Sequence, residues 1–231
     1  MKRYFFTFLL LLSISTLSFS QVSYEIRQAL DFFRTNQMVS GDYAKMLEES
    51  NIEGSPFLNE EFIKGTIYTT AHQKYVDVPL RYNIFNDLIE FKSEENKILA
   101  IATPEIVDKI EFGNFQVFYL PFTNVKKVRK GFFILIEQGN ASLYYKPQIF
   151  LKKATEAVPF QEPQPAKFIR QVDAYYLRIE PTEAKLIGNR KDLFKLFPDR
   201  KEEIATFVKR NKIKTNKVED LRKLLQFYNS L

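Results

Sequence analysis

Groups that titrate, attack or ligate are few in this chain, and their spacing narrows the chemistry further. His72 is the single histidine and stands between Ala71 and Gln73 in a stretch that reads as a hairpin loop. With no second imidazole and no cysteine, a zinc or copper site would have to rest on carboxylates and this one ring, so His72 is read as an exposed loop residue. The absence of cysteine also removes disulfides, thiolate catalysis and lipid attachment at a processing site. Seven glycines form no G-x-G-x-x-G, no phosphate loop and no G-x-S-x-G elbow, and S-x-x-K is missing beyond residue 20. Acid pairs do occur at Glu60-Glu61, Asp87 with Glu90, and Glu94-Glu95, but they lie beside turns, where solvation is the expected role. No catalytic residue, metal ligand or cofactor is assigned.

The densest basic cluster outside the C-terminus is Lys126-Lys127-Val128-Arg129-Lys130, expected as a loop between strands Phe115–Phe122 and Gly131–Glu137. Lys126, Lys127, Arg129 and Lys130 are the candidate contact for an anion or partner, such as a phosphate-bearing lipid or another protein; the alternative is a solvated loop that discourages edge pairing. Aromatic side chains are abundant at 23 Phe and 12 Tyr, with no Trp. An exposed ring would suit a sugar face, although most fall on apolar alternation and are more simply core.

These residues must be carried by something, and the N-terminus says where. Met1-Lys2-Arg3 is positive, Tyr4–Phe19 is largely apolar, and Ser18-Phe19-Ser20 offers small residues at the positions a signal peptidase reads. Residues 1–20 are therefore expected to be a signal peptide cleaved between Ser20 and Gln21, leaving a chain in the periplasm or outside the cell. The uninterrupted apolar core, Phe5–Leu12, is well short of the ~20 residues of a bilayer span, and no later run approaches that length. Losing Lys2 and Arg3 takes the net charge from +6 to +4, and residues 190–231 hold 12 Lys/Arg against 6 Asp/Glu. The basic character thus belongs to the C-terminal segment, where it is interleaved with acids, and nucleic acid is not expected as a partner.

Residues 21–157 are read as an N-terminal segment followed by a β body. Ile26, Leu30 and Phe33 suit a short amphipathic helix, and Tyr43, Met46 and Leu47 another turn or two. From Phe62 the period becomes two: Val76, Val78, Leu80 and Tyr82 alternate with Tyr75, Asp77, Pro79 and Arg81, and Arg81–Phe91 reads as a hairpin around Asn86-Asp87. Ile98–Ile101, Phe115–Phe122, Gly131–Glu137 and Ser142–Leu151 are further strands, with Pro79 and Pro147 at an edge or bulge. Phe132–Ile136 is apolar on both faces, so both should be covered. Residues 158–167 read as a Pro-rich connector, and 168–231 as a hairpin, Ala174–Ile179 with Ala184–Ile187, leading into a helical unit. Asn189 with Asp192, Asp199 with Glu202, and Asn216 with Glu219 are three helix starts, each followed by apolar residues at helical spacing. The fold class is thus α+β: an antiparallel β meander, as an open curved sheet or a small barrel, then a β-hairpin and three short C-terminal helices.

Gly54–Phe62, Pro79-Leu-Arg-Tyr-Asn83, Ile89-Glu-Phe91 and the ending Asp220–Leu231, in that order, resemble a family of exported, β-rich proteins of Gram-negative bacteria with no assigned activity. The resemblance implies the compartment and the β-then-helix order and supplies no catalytic residues. Function is expected to be recognition of another envelope component without catalysis. The rivals are a carrier holding an apolar ligand in a β cavity and a carboxylate-based hydrolase. An enclosed apolar cavity would favour the carrier, a cleft of converging acids the enzyme, and a filled interior with an exposed patch the binding protein. Oligomeric state is not fixed by these features.

Overall fold

Strand-length runs of alternating apolar residues need partners, and here most find them in neighbours along the chain, with β6 returning to β2 and β12 to β9. A computed structural model of the chain describes residues 23–24, 52–93, 95–124, 127–156 and 162–231. The strands are β1 (Ser23–Tyr24), β2 (Ile63–Thr69), β3 (Lys74–Asn83), β4 (Leu88–Lys92), β5 (Ile98–Ala100), β6 (Val107–Phe112), β7 (Phe115–Asn124), β8 (Lys127–Glu137), β9 (Ala141–Lys146), β10 (Ile149–Lys152), β11 (Lys167–Arg170), β12 (Ala174–Ile179) and β13 (Lys185–Leu186). Ten of them form one curled antiparallel sheet in the order β13-β12-β9-β8-β7-β6-β2-β3-β4-β5, with β1 added in parallel to β3, and β10 and β11 pair separately. Three helices follow: α1 (Arg190–Lys195), α2 (Lys201–Arg210) and α3 (Val218–Asn229). The meander with C-terminal helices is the expected arrangement. The expected leader and the helix over Ile26–Phe33 lie outside the described residues.

Three groups of buried side chains hold the sheet in shape. The first, including Leu80, Tyr82, Phe91, Phe112 and Phe132, covers one face of β2–β8. In the second, Leu143 of β9 and Leu177 of β12 meet Leu193, Ile204, Val208, Leu221, Leu224 and Leu225 of the helices, so the helical unit is docked on the sheet. The third is aromatic: Phe122, Phe133, Tyr144 and Tyr176 pack together on the other face, with ring centroids 5.0–6.5 Å apart and steep interplanar angles, a favourable edge-to-face geometry. Ala184, just before β13, donates its N–H to the Pro121 carbonyl and accepts from Thr123, bringing the end of the sheet back against the tail of β7. Phe132 and Ile134 face the first group while Phe133 faces the third, which is why β8 is apolar on both sides.

The structure departs from the expected pattern at identifiable points. Tyr75 is buried and Val76 is only half-buried, because β3 carries an extra residue against Gly65–Ile67 of β2, and Asp77 takes φ +56° in the resulting bulge. A bulge shifts the inward phase by one residue. The run Ser142–Leu151 is two strands, β9 and β10, in different sheets, broken at the buried Pro147 and the exposed Gln148. Thr155 and Gln164 exchange backbone hydrogen bonds across the Pro-rich segment, which leads β10 back to β11. Among the helix starts, the Asn189 side chain accepts from the amides of Lys191 and Asp192. Asp199 and Asn216 do not cap: the boundaries fall at Arg200 and Lys217, and Asp199 instead accepts a hydrogen bond from the Tyr228 hydroxyl.

Candidate functional site

The basic residues expected in a loop belong to a strand. β8 begins at Lys127 and pairs with β7 from Val117↔Ile134 out to Asn124↔Lys127, so Lys127, Arg129 and Lys130 stand on the outer half of a two-stranded arm. Strand alternation places Lys127 and Arg129 on one face and Val128 and Lys130 on the other. All four are exposed, Val128 at 65%. Lys130 makes a 3.7 Å contact with Glu105 in which both side chains are half-exposed, an arrangement worth little in water. Lys126 lies outside the described residues. Phe122, the register partner of Arg129, and Phe133 are both buried in the third, aromatic group, which anchors the arm.

Two of the acids expected to be solvated are built into the body. Glu90 is 1% exposed and accepts from Arg81 at 2.7 and 3.1 Å and from Asn83 at 2.8 Å, while the Arg81 guanidinium lies between the rings of Phe57 and Phe62. Asp87, in the β3–β4 turn at φ +55°, accepts from Tyr82 Oη at 2.7 Å, Lys146 Nζ at 2.7 Å and the Phe132 amide at 3.3 Å. Burial holds the Lys146 ammonium below its ordinary pKa, opposed by the Asp87 carboxylate, and pushes the Tyr82 phenol well up. Each member is committed to a partner inside the fold, which makes the set a clasp between the β3–β4 turn and β8–β9. His72 is exposed in the β2–β3 turn at φ +59°, and Glu60, Glu61 and Glu95 are exposed; Glu94 lies outside the described residues.

A concave site forms where the body meets the helical unit, and sequence patterning alone did not single it out. Tyr144-Tyr145 on β9 and Tyr175-Tyr176 on β12 are doublets in register, Tyr144 against Tyr176 and Tyr145 against Tyr175. Alternation sends the first pair into the aromatic group and the second to the opposite face. There Tyr145 packs on the first core and Tyr175 on the second. Around them a cleft of about 420 Å³ is lined by Asn114 from the β6–β7 turn, Phe115 at the start of β7, Ile134–Ile136 of β8, Asp173 and, from α3, Val218 and Arg222. Asp173 is held by Arg170 at 3.1 Å, and Arg222 reaches Glu137 at 3.3 Å. Burial raises both phenols, Tyr145 to about 12, and the Asp173 charge adds to each rise. The signal present in the sequence was the pair of tyrosine doublets; their register was not.

No family model, curated protein or solved structure matches this chain.

Proposed function

We propose that this chain is an exported, non-catalytic binding protein that recognises another component of the cell envelope, with the outer half of the β7–β8 arm as its contact surface. The observation that carries the reading is the exposure of Lys127, Arg129 and Lys130, together with Val128, on an arm anchored by the buried aromatic group. An anionic lipid surface fits best: each cation near such a surface contributes about 1 kcal/mol, and an exposed valine among them suits the boundary between headgroups and acyl chains. Lys126 is assigned to the same contact on its place in the sequence. Packed side chains on both faces of β8 favour this reading over a carrier with its ligand in the sheet interior. Export is supported by the leader-like first 20 residues and by the family resemblance.

The test is cosedimentation with vesicles of anionic and of zwitterionic phospholipid. Binding to the anionic vesicles alone, falling with salt and weakened when Lys126, Lys127, Arg129 and Lys130 are all replaced by Ser, is the expected result. Equal binding by both versions removes the arm from the reading, and absence of binding redirects it to a protein partner. Mass spectrometry of protein from the native envelope should find Gln21 at the N-terminus; an intact Met1 would overturn export with cleavage.

A further inference from the structure

The cleft between the body and the helical unit is separate from the basic arm, and its lining constrains what would occupy it. Phe115, Tyr145 and Tyr175 supply aromatic surface, while Asn114, Asp173 and Arg222 supply an amide, a carboxylate and a guanidinium. An apolar tail would strip water from the Asp173–Arg170 and Arg222–Glu137 pairs and return no hydrogen bond to either, which is unfavourable for charged groups. A small anion would meet the Asp173 carboxylate, and the Arg222 guanidinium already reaches Glu137. A cation would compete with Arg170, which already holds Asp173 Oδ1. The occupant that remains is neutral, with one face of C–H groups and a rim of hydroxyls that both donate and accept.

A pyranose ring has that construction. We infer that this cleft is a glycan-binding subsite, in which Tyr145 and Tyr175 take the C–H face of a sugar ring and Asn114, Asp173 and Arg222 bond its hydroxyls. A volume of about 420 Å³ lies in the range of small-ligand sites, and holds roughly one to two sugar rings. The walls come from β8, β9, β12, α3, the β6–β7 turn and the stretch before β12, elements already locked into two cores, so little ordering is required on binding. Both phenols stay protonated at neutral pH and can donate to one hydroxyl while accepting from another. Asp173 is the carboxylate among the described lining residues, whereas glycoside cleavage uses two carboxyl groups roughly 5–10 Å apart, so the role assigned is binding.

The test is backbone-amide NMR of the chain titrated with chitobiose, maltose and cellobiose. At least one disaccharide should give saturable shifts centred on residues 114–115, 134–136, 173–175 and 218–222. Tyr175→Ala should weaken that binding by about tenfold or more, Tyr175→Phe should keep most of it, and the four-Ser variant of the basic arm should bind as before. The inference is overturned by absence of saturable shifts with all three sugars. It is equally overturned by shifts centred elsewhere, or by Tyr175→Ala, with an otherwise unchanged spectrum, binding as well as the parent.

Discussion

Tyr145 and Tyr175 are register partners on adjacent antiparallel strands, and each is half-buried against a different core. Burial favours the neutral phenol, which raises Tyr145 from 10.0 to about 12 and Tyr175 in the same direction, with Asp173 adding to both. A proton held more tightly by the folded chain stabilises it below the unfolded pKa of about 10, and that contribution is lost as pH climbs through the folded value. Resistance to urea should therefore fall between about pH 10 and 12. Phenolate absorbance should show a late-titrating class that loses one member in Tyr145→Phe and moves to lower pH in Asp173→Asn. Uniform titration of all tyrosines at the ordinary value would contradict the burial.

Asp87 and Lys146 make a second prediction. Their 2.7 Å contact sits beside Gly131, where a Cβ would come within 2.6 Å of Asp87 Oδ2 and 2.7 Å of Lys146 Nζ. Asp87→Asn removes the countercharge and leaves the buried Lys146 ammonium with the Phe132 carbonyl and the Phe122 and Phe133 rings, so it should destabilise the fold by about 2–4 kcal/mol, below the full value for a buried pair because Asp87 is partly exposed. The same change made beside Lys146→Met should be markedly less harmful. Equal losses in both backgrounds, measured by urea denaturation, would show that the two are not coupled.

The fold was readable where period and punctuation agree, and obscured where long-range geometry decides. The helices over Leu193, Ile204 and Leu221 follow from apolar spacing, yet two of their three expected caps are displaced by one residue, because Asp199 turns to Tyr228 and Asp220 accepts from the Lys214 amide. The bulge at Asp77 and the break at Pro147 each interrupt a run that looks continuous in the sequence. For the cleft the difficulty was greater. Neither doublet, Tyr144-Tyr145 or Tyr175-Tyr176, says which phenol faces inward until β9 and β12 are paired, and those strands are separated by the whole β10–β11 excursion. Asp87 likewise reads as a turn residue because Lys146 is 59 positions away.

Asn229 near the end of α3 gives a third prediction. Its side-chain oxygen accepts from the Ala141 amide at 2.8 Å and its Nδ2 donates to the Ala141 carbonyl at 3.0 Å, tying the helix to the start of β9. Gly139 makes room for it, since a Cβ there would lie 2.1 Å from Asn229 Nδ2. Asn229→Ala should destabilise by about 1–3 kcal/mol through the two lost hydrogen bonds. Gly139→Ala should be harmful in the parent and much milder beside Asn229→Ala, and a double-mutant cycle checks it; additive effects would mean that the amide and the glycine do not share the site.

The last prediction separates two residues that look equivalent on the α2 stripe. Ile204, Phe207 and Val208 share one helical face by spacing, which predicts comparable burial for all three. In the structure Ile204 and Val208 are buried among the sheet and α3, whereas Phe207 is half-buried and lies flat on Phe227 of α3, with centroids 4.1 Å apart and planes 9° from parallel. The Phe207 ring sits at the flank of the stripe, beside Glu203 and Arg210, where water still reaches it. Ile204→Ala removes fully buried methyl groups and leaves a cavity, so it should cost about 2–5 kcal/mol. Phe207→Ala exchanges a stacked contact for solvent and should cost less, about 1–2 kcal/mol, despite deleting the larger side chain. Urea denaturation of the two variants decides between burial and size as the governing quantity. A larger loss for Phe207→Ala would place the ring inside the helical core and overturn the half-buried stack.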